Sequence, residues 1–393
     1  MIAGRATHGT VSTPVLIVTT TTRWLGAART PLALANAGFE VSLLTPKGSL
    51  AEHSGYVSKI AYVPDRATPR EWIHALAATV RATSPRLIIP GDDTALRLLE
   101  LLVLAPPEGM SSALHFELMA LIVTSLGDPA HYRKSIDKTL FPKAVKALGV
   151  RVAPWIVARS VPEVEQFAAT VGYPIVLKRN HSWASTGVRI CANSAELTPA
   201  FAALLKATRD EFDSSGTEGL LAQTYVNGTT KFYTCVAWKG SLVAGYAGET
   251  LVWSEGVGGV PTVNRYHRDD RLRAAATRLI AGFGISGFVA AEFIADRDTD
   301  DAWVIEINRR LVGGSHRGGP MRVDHWAALR AVLTSTSMPT RADLDPGEEH
   351  ICVNFPQEWL RDPKSHWLRD HPVDVPWDEP ELIAAMLELR NES

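Results

Sequence analysis

The chain has 393 residues, enough for two or three domains with sizeable cores. A net charge of −2 and a charged fraction of 21% offer no electrostatic attraction to nucleic acid or to an anionic membrane. Cys191, Cys235 and Cys352 stand far apart and without metal-ligand spacing, so they read as buried thiols in a reducing compartment. No basic stretch followed by an apolar core opens the chain, and runs such as Leu96–Ala105 are too short to span a bilayer, so a cytoplasmic protein is expected.

Residues 1–13 are small and polar and are expected to form a disordered leader. From Pro14 to about residue 125, strand-like and helix-like segments alternate. Val15–Val18, Glu40–Leu44 and Arg86–Ile89 read as strands; Leu25–Ala37, Arg70–Ala82 and Thr94–Leu104 read as helices, the last capped by Asp92 or Asp93. Such alternation predicts a doubly wound parallel sheet. The first strand leads into Thr19-Thr20-Thr21-Thr22-Arg23, with no dinucleotide-binding glycine pattern; a ligand of this domain would lie near Thr19–Arg23 and Gly91–Asp93.

Residues 113–149 look helical throughout. Within residues 126–226, strands are expected at Ile175–Lys178 and Val188–Cys191. The first delivers Lys178 to a small-residue turn that contains Trp183, Ser185 and Gly187. Backbone N–H groups in such a turn can cradle phosphate oxygens while the lysine supplies charge; otherwise Lys178 is simply a solvated hairpin lysine. Trp183 reads either as part of a lid or as packing beneath the loop. Lys138 is a second lysine of interest, on a helix upstream. Gln223-Thr-Tyr225-Val226 ends a further strand at a domain junction, where a nucleobase can be read by backbone groups.

Residues 227–342 carry strands at Phe232–Trp238 and Leu242–Ala247, a helix at Leu272–Phe283, and then two apolar strands joined by Asp296–Asp301. Symmetric closure about Thr299 sets Glu292 opposite Glu306, with Asn308 on the same face. Two carboxylates on a largely apolar face repel unless a cation lies between them, and Glu, Glu and an amide oxygen suit Mg²⁺. A solvent-facing hairpin is the plainer alternative. Asp324–Thr334 reads as a closing helix, and residues 343–393, rich in Pro and Trp, as a packed irregular appendage. Arg317 and Arg322 either grip a substrate carboxylate or lie on the surface; His316 is either a base or structural.

Taken in order, Lys138 with Gly149 and Pro154, Gly172-Tyr-Pro-Ile-Val-Leu-Lys178, Gly187-Val188, Gln223-Thr-Tyr-Val226, Glu292-Phe and Glu306-Ile-Asn308-Arg-Arg310 resemble the ATP-grasp superfamily. The resemblance covers roughly Lys138 to Gly319. It implies an N-terminal α/β domain followed by two α+β subdomains that close on ATP. Lys138, Lys178, Ser185, Gly187, Gln223, Tyr225, Val226 and Lys231 would contact ATP; Glu292, Glu306 and Asn308 would bind Mg²⁺, with Mn²⁺ as a substitute. Arg310, together with Lys178, would stabilise the transferred phosphoryl group. Gln223 replaces a glutamate frequent in relatives, Thr230 and Lys231 stand where many carry a ribose-binding acid, and Ala290 stands where peptide-ligase relatives have arginine. The implied activity is an ADP-forming ligase that activates a carboxylate as an acyl phosphate and joins it to an amine. Its partners would be small-molecule acids and amines, with a homodimer compatible; the alternatives are a carboxylase, a phosphotransferase or a non-catalytic nucleotide-binding regulator.

Overall fold

The computed structural model describes residues 12–64, 66–105, 111–180, 187–209, 219–254 and 259–388. The chain divides into two compact units: Met1–Leu126 with Arg310–Ala342 and Pro376–Met386, and Gly127–Arg309 with Asp343–Val375 and Leu387–Ser393. Among the described residues, no helix is long and apolar enough to cross a membrane.

The first unit is built on β1 (Thr13–Val18), β2 (Phe39–Pro46), β3 (Val57–Val63) and β4 (Leu87–Pro90), all parallel, in the order β3-β2-β1-β4. Val15 to Val18 are fully buried, as expected of a strand covered on both faces. The helices are α1 (Leu25–Asn36), α2 (Pro69–Thr83), α3 (Asp93–Leu104) and α4 (Ser112–Leu126). Thr68 and Glu71 form a reciprocal capping box that fixes the start of α2. Asp92 caps α3 by accepting from Ala95 N at 2.8 Å.

Continuous helix over 113–149 is not observed. Gly127 adopts φ +93° and bridges to Ile285, which ends α4. Two shorter helices follow, α5 (Tyr132–Ile136) and α6 (Phe141–Ala147), each preceded by an aspartate that turns the chain. Asp128 accepts from Ala130 N, and Asp137 accepts from Thr139 N, Thr139 Oγ1 and Leu140 N. Short polar side chains that bond the nearby backbone compete with helix continuation.

The second unit contains two antiparallel sheets. The smaller comprises β5 (Trp155–Ala158), β6 (Ile175–Lys178), β7 (Val188–Cys191) and β8 (Leu220–Thr224), ordered β5-β8-β6-β7. Helices α7 (Val161–Val171) and α8 (Ser194–Arg209) accompany it, and Ile175, Leu177, Leu220 and Ala222 form the core of one face. Strand period two therefore turns Val176, Lys178, Leu221, Gln223 and Trp155 to the other face.

The larger sheet comprises β9 (Gly228–Trp238), β10 (Ser241–Trp253), β11 (Pro261–His267), β12 (Gly287–Asp296), β13 (Ala302–Asn308) and β14 (Glu349–Val353), ordered β13-β12-β9-β10-β11-β14. Helix α9 (Asp270–Phe283) packs on the face that carries Tyr233, Val289, Ala291, Phe293, Val304 and Ile307. The tail expected to be irregular thus supplies an edge strand, β14, paired with β11. Gly228 opens β9 so close to β12 that a Cβ would meet Ala295 O at 2.0 Å, which excludes any side chain there.

Candidate active site

The register of β12 and β13 pairs Glu292 with Glu306 and Ala290 with Asn308, which puts the three polar side chains on the sheet face opposite α9. Nearer the turn the pairing is Phe293 with Val304 and Ile294 with Trp303, so a bulge separates the two registers. That extra residue, not symmetric closure about Thr299, brings the carboxylates opposite each other. Asn308 is 7% exposed and donates from Nδ2 to Glu292 Oε1 at 2.8 Å and to Glu306 Oε1 at 3.5 Å. Turning the amide over would present its oxygen instead and complete an all-oxygen ligand set.

Two lysines from different elements answer this negative charge. Lys138 follows the Asp137 turn; its backbone N–H donates to Asn180 Oδ1 at 2.9 Å, and its Nζ stands 3.7 Å from Glu306 Oε2. Lys178 ends β6 on the same side. Burial pushes its ammonium down to about 8; Glu306 and Glu292 pull it back up, and Lys138 pushes it further down. Lys178 therefore feels the charge of the other three side chains. Asn180, buried at the mouth of the loop after Lys178, was not among the expected site residues. Its signal in the sequence was a lone amide two residues beyond a strand-end lysine.

Opposed carboxylates beside an amide and a lysine fit a divalent cation held by oxygen ligands. Among the described residues, no group of three or more His, Cys, Asp or Glu side chains gathers as a metal site. A pair of carboxylates with an amide is a donor set of the kind that binds Mg²⁺ together with substrate phosphates.

Gln223 lies on the cleft face of β8, opposite Val176 and Trp155 and two residues along from the position facing Lys178. It is 4% exposed. The N–H of Tyr225 donates to Pro174 O, and Val226 follows it just before Gly228. Gly187 closes the base of the preceding loop through its carbonyl, which accepts from Arg179 N at 2.8 Å. Ser185 and Trp183 lie outside the described residues.

Within the second unit, one expected residue stands apart from this cluster. Lys231 pairs across β9 with Phe293 and Glu249, on the α9 face, so the sheet itself separates it from Glu292. There its Nζ lies 3.6 Å from Asp300 and 4.0 Å from Asp269. Arg310 belongs to the first unit, where it pairs with Asp93 at 3.0 Å, donates to Leu311 O, and lies over the Trp24 ring. Its neighbour Arg309 belongs to the second unit, donates to Ser135 Oγ, and lies over Tyr132. His316 too belongs to the first unit, as do Arg317, which is buried, and Arg322, which is exposed.

Residues 137–232, which hold both lysines and Gln223, match the family described as the ATP-binding domain of the carbamoyl-phosphate synthase L chain. This match, together with the similarities that follow, indicates the ATP-grasp superfamily. The chain is 25% identical over 352 residues to the carbamoyl phosphate synthase large chain of Rubrobacter xylanophilus, covering 83% of itself but 31% of that protein. It therefore spans about a third of the length of that relative. Among solved structures it resembles the biotin carboxylase domain dimer of Hydrogenobacter thermophilus 2-oxoglutarate carboxylase, in complex with MgADP, ADP and bicarbonate. The TM-score is 0.66 at 16% identity, over 86% of this chain and 73% of that one. It also resembles Staphylococcus aureus N5-carboxyaminoimidazole synthetase complexed with ADP, with a TM-score of 0.62 at 14% identity, over 86% and 81% of the two chains.

Proposed function

We propose that this ATP-grasp chain is an ADP-forming ligase that activates a carboxylate as an acyl phosphate and joins it to an amine. The carrying observation is the convergence of Glu292, Glu306 and Asn308 with Lys138 and Lys178. A carboxylate alone is a poor acyl donor because oxide is its leaving group. Attack of a carboxylate oxygen on the γ-phosphorus breaks the bridge to ADP and makes an acyl phosphate. The amine nitrogen then attacks the carbonyl carbon, phosphate departs with that carboxylate oxygen, and the amine gives up a proton.

In this reading Lys138 and Lys178 hold the triphosphate oxygens and balance charge as it moves toward the β–γ bridge. Glu292, Glu306 and Asn308 would hold Mg²⁺, which neutralises phosphate charge when bound. The Asp137 turn and Asn180 position the backbone of Lys138, and Gln223 with the chain at Tyr225 and Val226 receives the nucleobase. Ser185 and Gly187 border the phosphates. Arg310 acts on the transferred phosphoryl group, its guanidinium oriented in advance by Asp93 and Trp24. Lys231, on the far face, has a structural role. Mn²⁺ shares the oxygen preference and would substitute for Mg²⁺. A homodimer is part of the proposal.

One structural relative was captured with bicarbonate, which makes bicarbonate the first acid to test. Product analysis with ATP, Mg²⁺ and a panel of acids and amines is expected to give ADP and phosphate in equal amounts. With heavy-oxygen-labelled carboxylate, one labelled oxygen should pass into phosphate. Stoichiometric pyrophosphate, or label recovered in AMP, overturns the mechanism; phosphate retained on a stable acceptor identifies a phosphotransferase instead.

A further inference from the structure

Apart from the cluster of lysines and carboxylates, the second unit contains an open cavity of about 590 Å³ whose lining includes Trp155, Phe167, Trp303, Val152, Lys146 and Arg151. That volume is in the range of small-molecule sites. Its walls belong to two different cores. Phe167 packs against the core of the smaller sheet, and Val152 against that of the larger. Trp155 lies on β5, in register with Gln223, and Trp303 on β13, in register with Ile294. The linker between α6 and β5 is pinned to the larger sheet and to α9: Arg151 O accepts from Val304 N at 3.0 Å, and Gly149 O accepts from Arg278 Nη1 at 3.2 Å. The walls are therefore set by strands and by a tied linker.

Both indoles are only partly buried, so two large aromatic surfaces face one open space. A cation stands over each. Lys146 Nζ lies 5.7 Å from the centre of the Trp155 ring, and the Arg151 guanidinium 5.8 Å from that of Trp303. These separations are close to the outer limit of about 6 Å for such a contact, so each cation can turn toward a nearer negative charge at little loss. Arg151 also pairs with Asp301, which takes up part of its donor set. Among the described residues, no acid lines the cavity itself. A cationic ligand would be repelled by this lining. An inorganic anion would leave the indoles unused, and a neutral hydrocarbon would leave the charges unused. We propose that the cavity binds a planar aromatic acid, its ring against Trp155 and Trp303 and its carboxylate toward Lys146 and Arg151. None of Lys138, Lys178, Gln223, Glu292, Glu306 and Asn308 lines it, so the site is separate from the proposed nucleotide site and does not rest on that reading.

Titration calorimetry of the full chain with naphthoate, and with naphthamide as its neutral counterpart, tests this. Naphthoate is expected to bind at a single site with a dissociation constant below about 1 mM, and naphthamide about tenfold more weakly. Trp303→Ala removes one aromatic wall and Lys146→Glu reverses one charge; each should weaken naphthoate by about tenfold or more. Lys146 is exposed, so its replacement should leave the fold intact, and circular dichroism shows whether Trp303→Ala folds. Naphthoate should still bind when the chain is saturated with MgADP. Absence of saturable binding overturns the inference. So does equal affinity for the amide, unchanged affinity in Lys146→Glu, or loss of naphthoate binding in the presence of MgADP.

Discussion

Two groups of carboxylates in this molecule stand in different surroundings. Asp92, in the first unit, accepts from Thr19 Oγ1 at 2.7 Å, Thr20 N at 2.5 Å, Thr20 Oγ1 at 2.8 Å, Thr21 N at 3.0 Å and Ala95 N at 2.8 Å. Every one of those donors comes from the loop after β1 or from the start of α3, so the carboxylate is spent on holding that loop to the helix. Glu292 and Glu306, in the second unit, face each other across a hairpin, with Asn308 donating to Glu292 and Lys138 at 3.7 Å from Glu306. A carboxylate saturated by backbone donors is a structural device. Carboxylates set against each other beside an amide and a lysine form a donor set of the kind that suits a divalent cation. The difference sets an acid held by its own loop and helix against a pair proposed to act on a metal.

The sharpest test of that contrast is Glu306→Gln. Turnover is expected to fall on the order of a hundredfold or more, with a raised Mg²⁺ requirement and an unfolding midpoint close to that of the wild type. ADP release measured across a magnesium titration reads it, and an unchanged magnesium dependence would remove Glu306 from the metal set.

Asp92→Ala should show the reverse pattern. Loss of the helix cap and of the loop's hydrogen bonds is expected to lower stability by about 2–4 kcal/mol, with the magnesium dependence preserved. Denaturant unfolding followed by circular dichroism measures this. A loss under about 1 kcal/mol would show that the loop is held by other means.

The smallest effect is a pH dependence carried by Lys178. Burial, its largest cause, depresses the folded ammonium to about 8, while the unfolded side chain keeps its proton to about 10.4. Between those values the unfolded chain binds more protons, so this residue's contribution to stability rises with pH across that window, and its penalty is fully present below about pH 8. Phosphate oxygens beside the ammonium favour the charged form and reverse the shift. ATP affinity is therefore expected to fall modestly from about pH 7 to about pH 9, with proton uptake on binding, and Lys178→Arg should flatten the profile. Calorimetry in two buffers of different protonation enthalpy checks it; a flat wild-type profile would take Lys178 away from the phosphates.

Much of the architecture was legible because local chemistry set it. Alternating apolar runs marked β1, β2 and β4, and Asp92 before Thr94 marked the start of α3. The order of lysines, glutamine and acids along the chain pointed to the ATP-grasp superfamily before any geometry was available. The Glu292–Glu306 pair was read from symmetric closure of its hairpin, but a β-bulge produces the same pairing by another route. Bulges arise from backbone geometry within the sheet, which side-chain periodicity does not record.

What the sequence determined by itself was therefore the identity and order of the chemical groups, together with the elements whose hydrogen bonds are local. The tertiary structure alone decided which groups share a face. It set Lys231 on the side of the sheet away from Glu292 and drew β14 from a tail without strand-like alternation. Each outcome depends on pairing between segments distant along the chain. A register shift of one residue reverses every side chain of a strand, so no local pattern could have fixed them.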